Sequence, residues 1–272
     1  MVQSQLAIRN GAGSAHTEEM DQNSVIAAAR ILREARAVVA LTGAGISTPS
    51  GIPDFRGDGG LWQRDDPAEV ASLGGFFADP GRFYRWFAPL LARITAAQPN
   101  PAHVALAELE RRGRLRAVVT QNIDGLHQRA GSREVYELHG SLRHASCATC
   151  GQCVPAGYVC ERVRAGATPR CSCGGPVKPD IVLFDEALPR GVFWLAQRAL
   201  EQCDALIIAG TSLEVCPAGD LPHLALRRGA RLVIVNRGAT HLDDRADVII
   251  RDDVAAVLPA MVAEVDRFSE AA

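Results

Sequence analysis

Cys147-x-x-Cys150, a gap of twenty residues and Cys171-x-Cys173 place four thiols in two close pairs. Paired thiolates on tight turns supply a tetrahedral ligand set, as in a zinc ribbon. Four of them leave no open coordination position, so the spacing points to a structural and not a catalytic zinc, one per chain. Cys153 and Cys160 stand nearby as alternative ligands, the one-residue spacing of the second pair leaves open which sulfurs bind, and a set of reduced buried thiols is the plain alternative. Cys203 and Cys216 fall in or beside apolar segments and read as core or pocket residues.

A second chemistry begins at Thr42-Gly43-Ala44-Gly45-Ile46-Ser47, directly after the apolar run 37–41. Glycines at a strand-to-helix junction let backbone N–H groups approach a pyrophosphate at a helix N-terminus. The G-x-G-x-x-G fingerprint is incomplete, because position 48 is Thr, and the segment alone also reads as a tight turn. The loop that follows sets Asp54, Phe55 and Arg56 in succession. A carboxylate for an amide, an aromatic lid and a cation for phosphate suit a nicotinamide dinucleotide. Gln121-Asn122-Ile123-Asp124 ends the run 115–120, and His139-Gly140 ends the run 135–138. The C-terminal edge of an open α/β sheet is where ligands bind. His139 titrates near neutrality and is a fair general base there. His103, His127 and His144 lack that strand-end position and read as packing or surface residues.

The elements that must hold these groups alternate. Strand-like apolar runs at 37–41, 115–120, 135–138, 181–184, 205–209, 232–235 and 246–250 are interleaved with helical patterns at 101–112, 193–202, 221–228 and 253–265. An earlier helix is expected to start at a Ser24 cap. This rhythm predicts an α/β fold, a parallel sheet covered on both faces. Two stretches interrupt it: an aromatic-rich helical segment at 61–100, and a Cys-, Gly- and Pro-rich segment at 143–180 with little periodicity. The 272 residues and 47% apolar content suit one large domain carrying a small one. Net charge is −2, which gives no basic field for nucleic acid or anionic membrane, and Lys178 is the single lysine. The arginines at 111, 112, 114 and 116 read as a solvated helix end. No apolar run reaches the ~18 residues of a membrane span. The first 23 residues lack a signal-peptide core and read as a flexible tail, which favours the cytoplasm.

In this order, Gly43-Ala44-Gly45-Ile46-Ser47, Pro53-Asp54-Phe55-Arg56-Gly57, Gln121-Asn122-Ile123-Asp124, His139-Gly140, the four cysteines, Lys178-Pro179-Asp180-Ile181-Val182, Gly210-Thr211-Ser212 and Val235-Asn236 resemble the motifs of the sirtuins, over nearly all of 24–265. The resemblance implies a Rossmann-like NAD-binding domain (24–60, 101–142 and 180–272) and a small domain made of a helical module (61–100) and a zinc module (143–179), the latter held by Cys147, Cys150, Cys171 and Cys173. It implies NAD and an acyl-lysine protein as reactants. Gly43, Ala44, Gly45 and Ser47 would line the phosphate and ribose site. Asp54, Ile52 and Asn122 would hold the nicotinamide amide, Phe55 would cover the reacting sugar, and Arg56 would contact the cofactor loop. Gln121, Asn122 and Asp124 would position ribose or nicotinamide, and His139 would be the base. Gly210, Thr211, Ser212, Asn236 and Val254 would hold the adenosine half.

The implied reaction joins the acyl oxygen of acetyl-lysine to C1′ of the nicotinamide ribose, expels nicotinamide and ends in free lysine and O-acetyl-ADP-ribose. Mono-ADP-ribosyl transfer and removal of longer acyl chains are the near alternatives. A dehydrogenase or a DNA- or protein-docking zinc module are the distant ones. Two departures stand out. The usual Phe-Gly-Glu bordering the substrate peptide is Phe184-Asp185-Glu186 here, and the second cysteine pair has one intervening residue. Aligned on Asp79-Pro80, Phe87 and Leu90 occupy the positions where succinyl- or malonyl-preferring sirtuins carry Tyr and Arg, with Tyr84, Arg82 and Arg85 a turn away.

Overall fold

The computed structural model describes residues 21–55, 60–61 and 66–270. In chain order its elements are α1 (Gln22–Glu34), β1 (Val38–Thr42), α2 (Pro67–Val70), α3 (Leu73–Ala78), α4 (Pro80–Ala96), α5 (Pro101–Arg111), β2 (Leu115–Thr120), α6 (Leu126–Ala130) and β3 (Val135–Glu137). There follow β4 (Gly140–Cys147), β5 (Cys153–Pro155), α7 (Ala156–Arg164), β6 (Val177–Ile181), α8 (Arg190–Gln202), β7 (Ala205–Ala209), α9 (Pro222–Arg227), β8 (Arg231–Val235), β9 (Val248–Ile250) and α10 (Val254–Glu270).

Six parallel strands form one sheet in the order β3-β2-β1-β7-β8-β9. Successive side chains of a strand point to opposite faces, and here both faces are covered. Val38 and Ala40 of β1, Ala205, Ile207 and Ala209 of β7, and Val233 and Val235 of β8 pack with α1, α5 and α10. Val39 and Leu41, Leu206 and Ile208, and Leu232 and Ile234 pack with α8 and α9. That is why these runs are apolar throughout rather than alternating. β1 pairs with β2 on one side and β7 on the other, so the chain reverses its winding direction at β1 and opens a crevice at the strand ends.

A second, antiparallel sheet of order β5-β4-β6 lies in the segment that shows little sequence period. Its core is continuous with that of the helical module: Phe76, Phe83, Tyr84, Phe87, Leu90 and Leu91 pack with Val159, Val163, Val177 and Ile181. The buried Tyr84 hydroxyl donates to the Val177 carbonyl at 2.7 Å, tying α4 to β6.

Two expectations need correction. The run 181–184 is not a strand of the parallel sheet; only its Ile181 is in a strand, the end of β6, which joins β4 with Cys147 paired to Val177. The segment 143–180, read as weakly periodic, holds β5 and most of β4 and β6 besides α7, whose inward face is only Val159 and Val163, too few for a clear period. The cap of α1 is Asp21, which accepts from the Asn23 N–H and the Ser24 hydroxyl, so residues 22 and 23 are helical and Ser24 supports the cap instead of being it. The rest of the expected tail, 1–20, lies outside the described residues. Among the described residues no helix is long and apolar enough to cross a membrane.

Candidate functional site

The ends of β1, β2, β3 and β7 converge on one polar cluster. After β1 the chain turns through a 3₁₀ turn at Ala44–Ile46 and a second at Thr48–Ser50. Ser47, between them, is 1% exposed; its hydroxyl donates to Asp124 Oδ2 at 2.7 Å and accepts from Asn122 Nδ2 at 3.1 Å. The same Asn122 amide donates to the Gly43 carbonyl at 3.0 Å. Asp124 also accepts the Leu126 N–H at 2.8 Å, and burial pushes its carboxyl above the ordinary range despite these donors. Gln121 Nε2 donates to Thr211 Oγ1 at 3.0 Å, linking the β2 and β7 loops. Gln121, Asn122, Asp124 and Ser212 remain half-buried, so their polar atoms are fixed yet reachable.

His139 closes the cluster. Its Nδ1 lies 2.9 Å from the Gln121 carbonyl oxygen. A carbonyl only accepts, so the neutral ring carries its proton on Nδ1 and leaves Nε2 as a free base. Burial lowers the His139 pKa from its ordinary 6.5, opposed by the Gln121 carbonyl. The other histidines are placed differently. His103 and His127 are fully buried, with ring centroids 4.8 Å apart. His144 is exposed on β4.

The cysteine cluster lies in the small antiparallel unit. The sulfurs of Cys147, Cys150, Cys171 and Cys173 are all within 4.8 Å of one another, with Cys147–Cys173 at 3.5 Å and Cys150–Cys171 at 3.7 Å. Tetrahedral Zn–S bonds of ≈ 2.3 Å separate sulfurs by about 3.8 Å, so the set fits one zinc. The Cys150 and Thr149 N–H groups point at Cys147 Sγ, and the Gly175 N–H at Cys173 Sγ, which stabilises thiolates. Cys153 and Cys160 are not in the cluster. Cys203 is buried; Cys216, expected in the core or pocket, is exposed.

The model of the Sir2 family matches residues 43–217. A curated relative, NAD-dependent protein deacylase 2 of Archaeoglobus fulgidus, is 46% identical over 248 residues, 90% of this chain and 98% of its own. The chain belongs to the Sir2 family. Among solved Sir2 structures, that of Sir2Af2 bound to a myristoylated histone peptide is 40% identical with TM-score 0.80, covering 92% of this chain and 99% of that one. A Sir2 variant with a deacetylated p53 peptide and 3′-O-acetyl ADP ribose is 40% identical with TM-score 0.84, covering 87% and 96%.

In this Sir2 chain the glycines of the first loop answer a need that the sequence reading missed. A Cβ on Gly43 would lie 2.7 Å from Thr211 Cβ, and one on Gly45 would lie 2.8 Å from the Gly210 carbonyl oxygen. Gly45 N–H donates to that carbonyl at 2.8 Å, and Gly210 itself sits at φ 63°. The glycines let the β1 and β7 loops cross in contact, and the crossing shapes the crevice. Ile52 and Val254 have buried side chains in apolar cores, so what they offer a ligand is backbone. Asn236 is half-buried after β8, with its amide donating to the Gly238 carbonyl. Asp54 and Phe55 are half-buried; Arg56 lies outside the described residues. Sequence reasoning also missed Asn100. It caps α5 reciprocally with His103, and its Nδ2 donates to the Ile46 carbonyl and Ser50 Oγ, anchoring the loop after β1 from outside. An Asn-Pro before a helix signals the cap, but not the distant loop it holds.

Proposed function

We propose that this chain is an NAD-dependent protein-lysine deacetylase that releases nicotinamide and O-acetyl-ADP-ribose. The observation that carries it is His139, its Nδ1 committed to Gln121 and its Nε2 free, at the sheet edge beside the Ser47–Asp124–Asn122 cluster. The donor set fits NAD: uncharged amides and hydroxyls for ribose and carboxamide (Gln121, Asn122, Ser47, Ser212, Asn236), and a backbone turn at Ala44 and Gly45 for phosphate. Bound NAD supplies the electrophilic ribose carbon that takes the acyl oxygen as nicotinamide leaves. Asp54, the Ile52 backbone and Asn122 would hold the carboxamide and Phe55 would cover the sugar; Arg56, assigned to the same loop by the family resemblance, lies outside the described residues. Asp124 and Gln121 orient ribose hydroxyls. Gly210, Thr211, Ser212, Asn236 and the Val254 backbone hold the adenosine half. His139 Nε2 removes a ribose hydroxyl proton, a role worth typically ~10²–10⁴ in rate. The zinc held by the four cysteines keeps β4, β5 and β6 folded and takes no part in the chemistry. With 61–100 and 143–179 as the small domain, the acyl-lysine would enter between that domain and the NAD-binding domain. A protein whose eight cysteines are free thiols, four of them zinc ligands, suits the reducing cytoplasm.

The test is mass spectrometry of an acetyl-lysine peptide incubated with enzyme, with and without NAD. NAD-dependent loss of acetyl with formation of O-acetyl-ADP-ribose is expected. ADP-ribose attached to protein without deacetylation would point to the ADP-ribosyltransferase instead.

A further inference from the structure

The strand end of β6 leads directly past the candidate base. Gly140 pairs with Ile181, and the Val182 N–H donates to the His139 carbonyl at 2.9 Å. Three residues further on stands Asp185, at most about 11 Å from Val182 along an extended chain. It occupies the third position of a turn closed by the Glu186 N–H on the Leu183 carbonyl, with φ 64°. This left-handed conformation is ordinarily glycine's; Asp and Asn tolerate it best among other residues. The turn is fixed in place. The Phe184 N–H donates to the Ala71 carbonyl, and the Leu73 N–H donates to the Phe184 carbonyl, both at 2.9 Å.

The charges in this turn are not equivalent. Glu186 accepts from Lys178 Nζ and the Leu183 N–H, each at 3.0 Å. Lys178 also donates to the Ile181 and Pro179 carbonyls, so the chain's single lysine is committed below the turn. Asp185 is exposed and has no hydrogen bond or ion pair among the described residues, while the neighbouring Phe184 is 37% exposed. A carboxylate on a fixed turn, with no partner among the described residues, therefore stands next to the partly exposed Phe184, three residues along the chain from the Val182 that bonds His139. A peptide whose acyl-lysine reaches His139 brings its adjacent residues within about 11 Å of the Val182 end of this turn.

Resting on the deacetylase reading, we propose that Asp185 is a specificity residue that selects acyl-lysine peptides with a positive charge within two residues of the modified lysine. The contact is solvent-exposed and acts on the bound ground state and the transition state alike. It therefore appears in KM and weakens with salt, and leaves kcat little changed from peptide to peptide. The experiment compares kcat/KM of the zinc-loaded chain for three acetyl-lysine peptides identical except for arginine, alanine or glutamate at the flanking positions. The same series is run with Asp185→Asn and with Asp185→Gly, which adopts the turn freely. Wild type is expected to favour arginine over glutamate roughly tenfold through KM, and both variants to lose most of that ratio. Equal use of the three peptides by wild type, or an undiminished ratio in the variants, would overturn the proposal. NAD-dependent deacetylation of none of them would instead overturn the deacetylase reading, and this inference with it.

Discussion

Ser47 and Asp124 are 77 residues apart in the chain and joined by a 2.7 Å hydrogen bond from the serine hydroxyl to the carboxylate. Because Ser47 also accepts from Asn122, one hydroxyl couples the β1 loop to Asn122 and Asp124 of the β2 loop. Ser47→Ala leaves the half-buried Asp124 carboxylate with one donor fewer. Hydrogen bonds to charged groups contribute about 1.5–3 kcal/mol, so kcat/KM for NAD should fall tenfold to hundredfold. Wild-type kcat/KM in that variant would remove Ser47 from the site.

His139→Ala should lower kcat by ~10²–10⁴ and leave the NAD dissociation constant near that of wild type. Cys203→Ala should stay active, since that thiol is buried, pushed up to about 12 by burial, and bonded to the Leu200 carbonyl. The working form of His139 is neutral and burial lowers its pKa, so the acid limb of kcat/KM should lie below pH 6.5. Steady-state rates across pH, with NAD binding by calorimetry, check both statements. Near-normal turnover of His139→Ala would put the base elsewhere.

His103 makes stability pH-dependent. Burial lowers its pKa from 6.5 to about 4, so between those values the unfolded chain binds a proton that the folded chain refuses. Its contribution is complete above pH 6.5 and is lost progressively as pH falls toward 4, about 3 kcal/mol in all at 1.36 kcal/mol per unit. His103→Gln can keep the reciprocal cap with Asn100 without titrating. Urea midpoints should fall less steeply between pH 6.5 and 4 in this variant; parallel slopes would contradict the assignment.

Purified protein should contain one zinc per chain. Chelation should unfold β4, β5 and β6 and abolish activity, because metal binding supplies folding free energy there. The shared core with α4 implies that α4 loosens too. Metal analysis and circular dichroism before and after chelation are the measurements, and a metal-free preparation with full activity would refute the role.

Acetyl-lysine should be preferred to succinyl-lysine. Phe87 and Leu90 are buried, with Phe87 stacked on Phe83 in a core that also contains Ile52, so neither offers an acyl carboxylate a partner. The neighbouring polar groups are committed: Tyr84 to Val177, Arg82 to Glu69, and Arg85 to Asp79. Loss of a charge-assisted bond corresponds to a tenfold to hundredfold penalty. The comparison is kcat/KM for one peptide carrying acetyl, butyryl or succinyl lysine, and succinyl equal to acetyl would show an unseen cation in the pocket.

The strands of the parallel sheet were legible because they are short, apolar on both faces and followed by polar motifs, and each signal lies within a few consecutive residues. The run 181–184 misled for the same reason: its apolar character is real, but the partner that decides its sheet, β4, is some forty positions earlier. The small antiparallel sheet had no readable period because zinc thiolates and a core borrowed from α4 replace the alternation a free-standing sheet would need.

The sequence by itself determined the chemistry present: four thiolates at zinc spacing, a glycine turn after a strand, and a histidine at a strand end. Only the tertiary structure decided which groups act on one another. Gly45 is required by contact with Gly210, the Nδ1 proton of His139 is set by Gln121, and Asp124 is held by Ser47. The partners in each pair lie 18 or more residues apart, and parallel strands meet only after a long crossover connection. Local pattern therefore carries the type of residue at each strand end, while the order of strands in the sheet carries its partner.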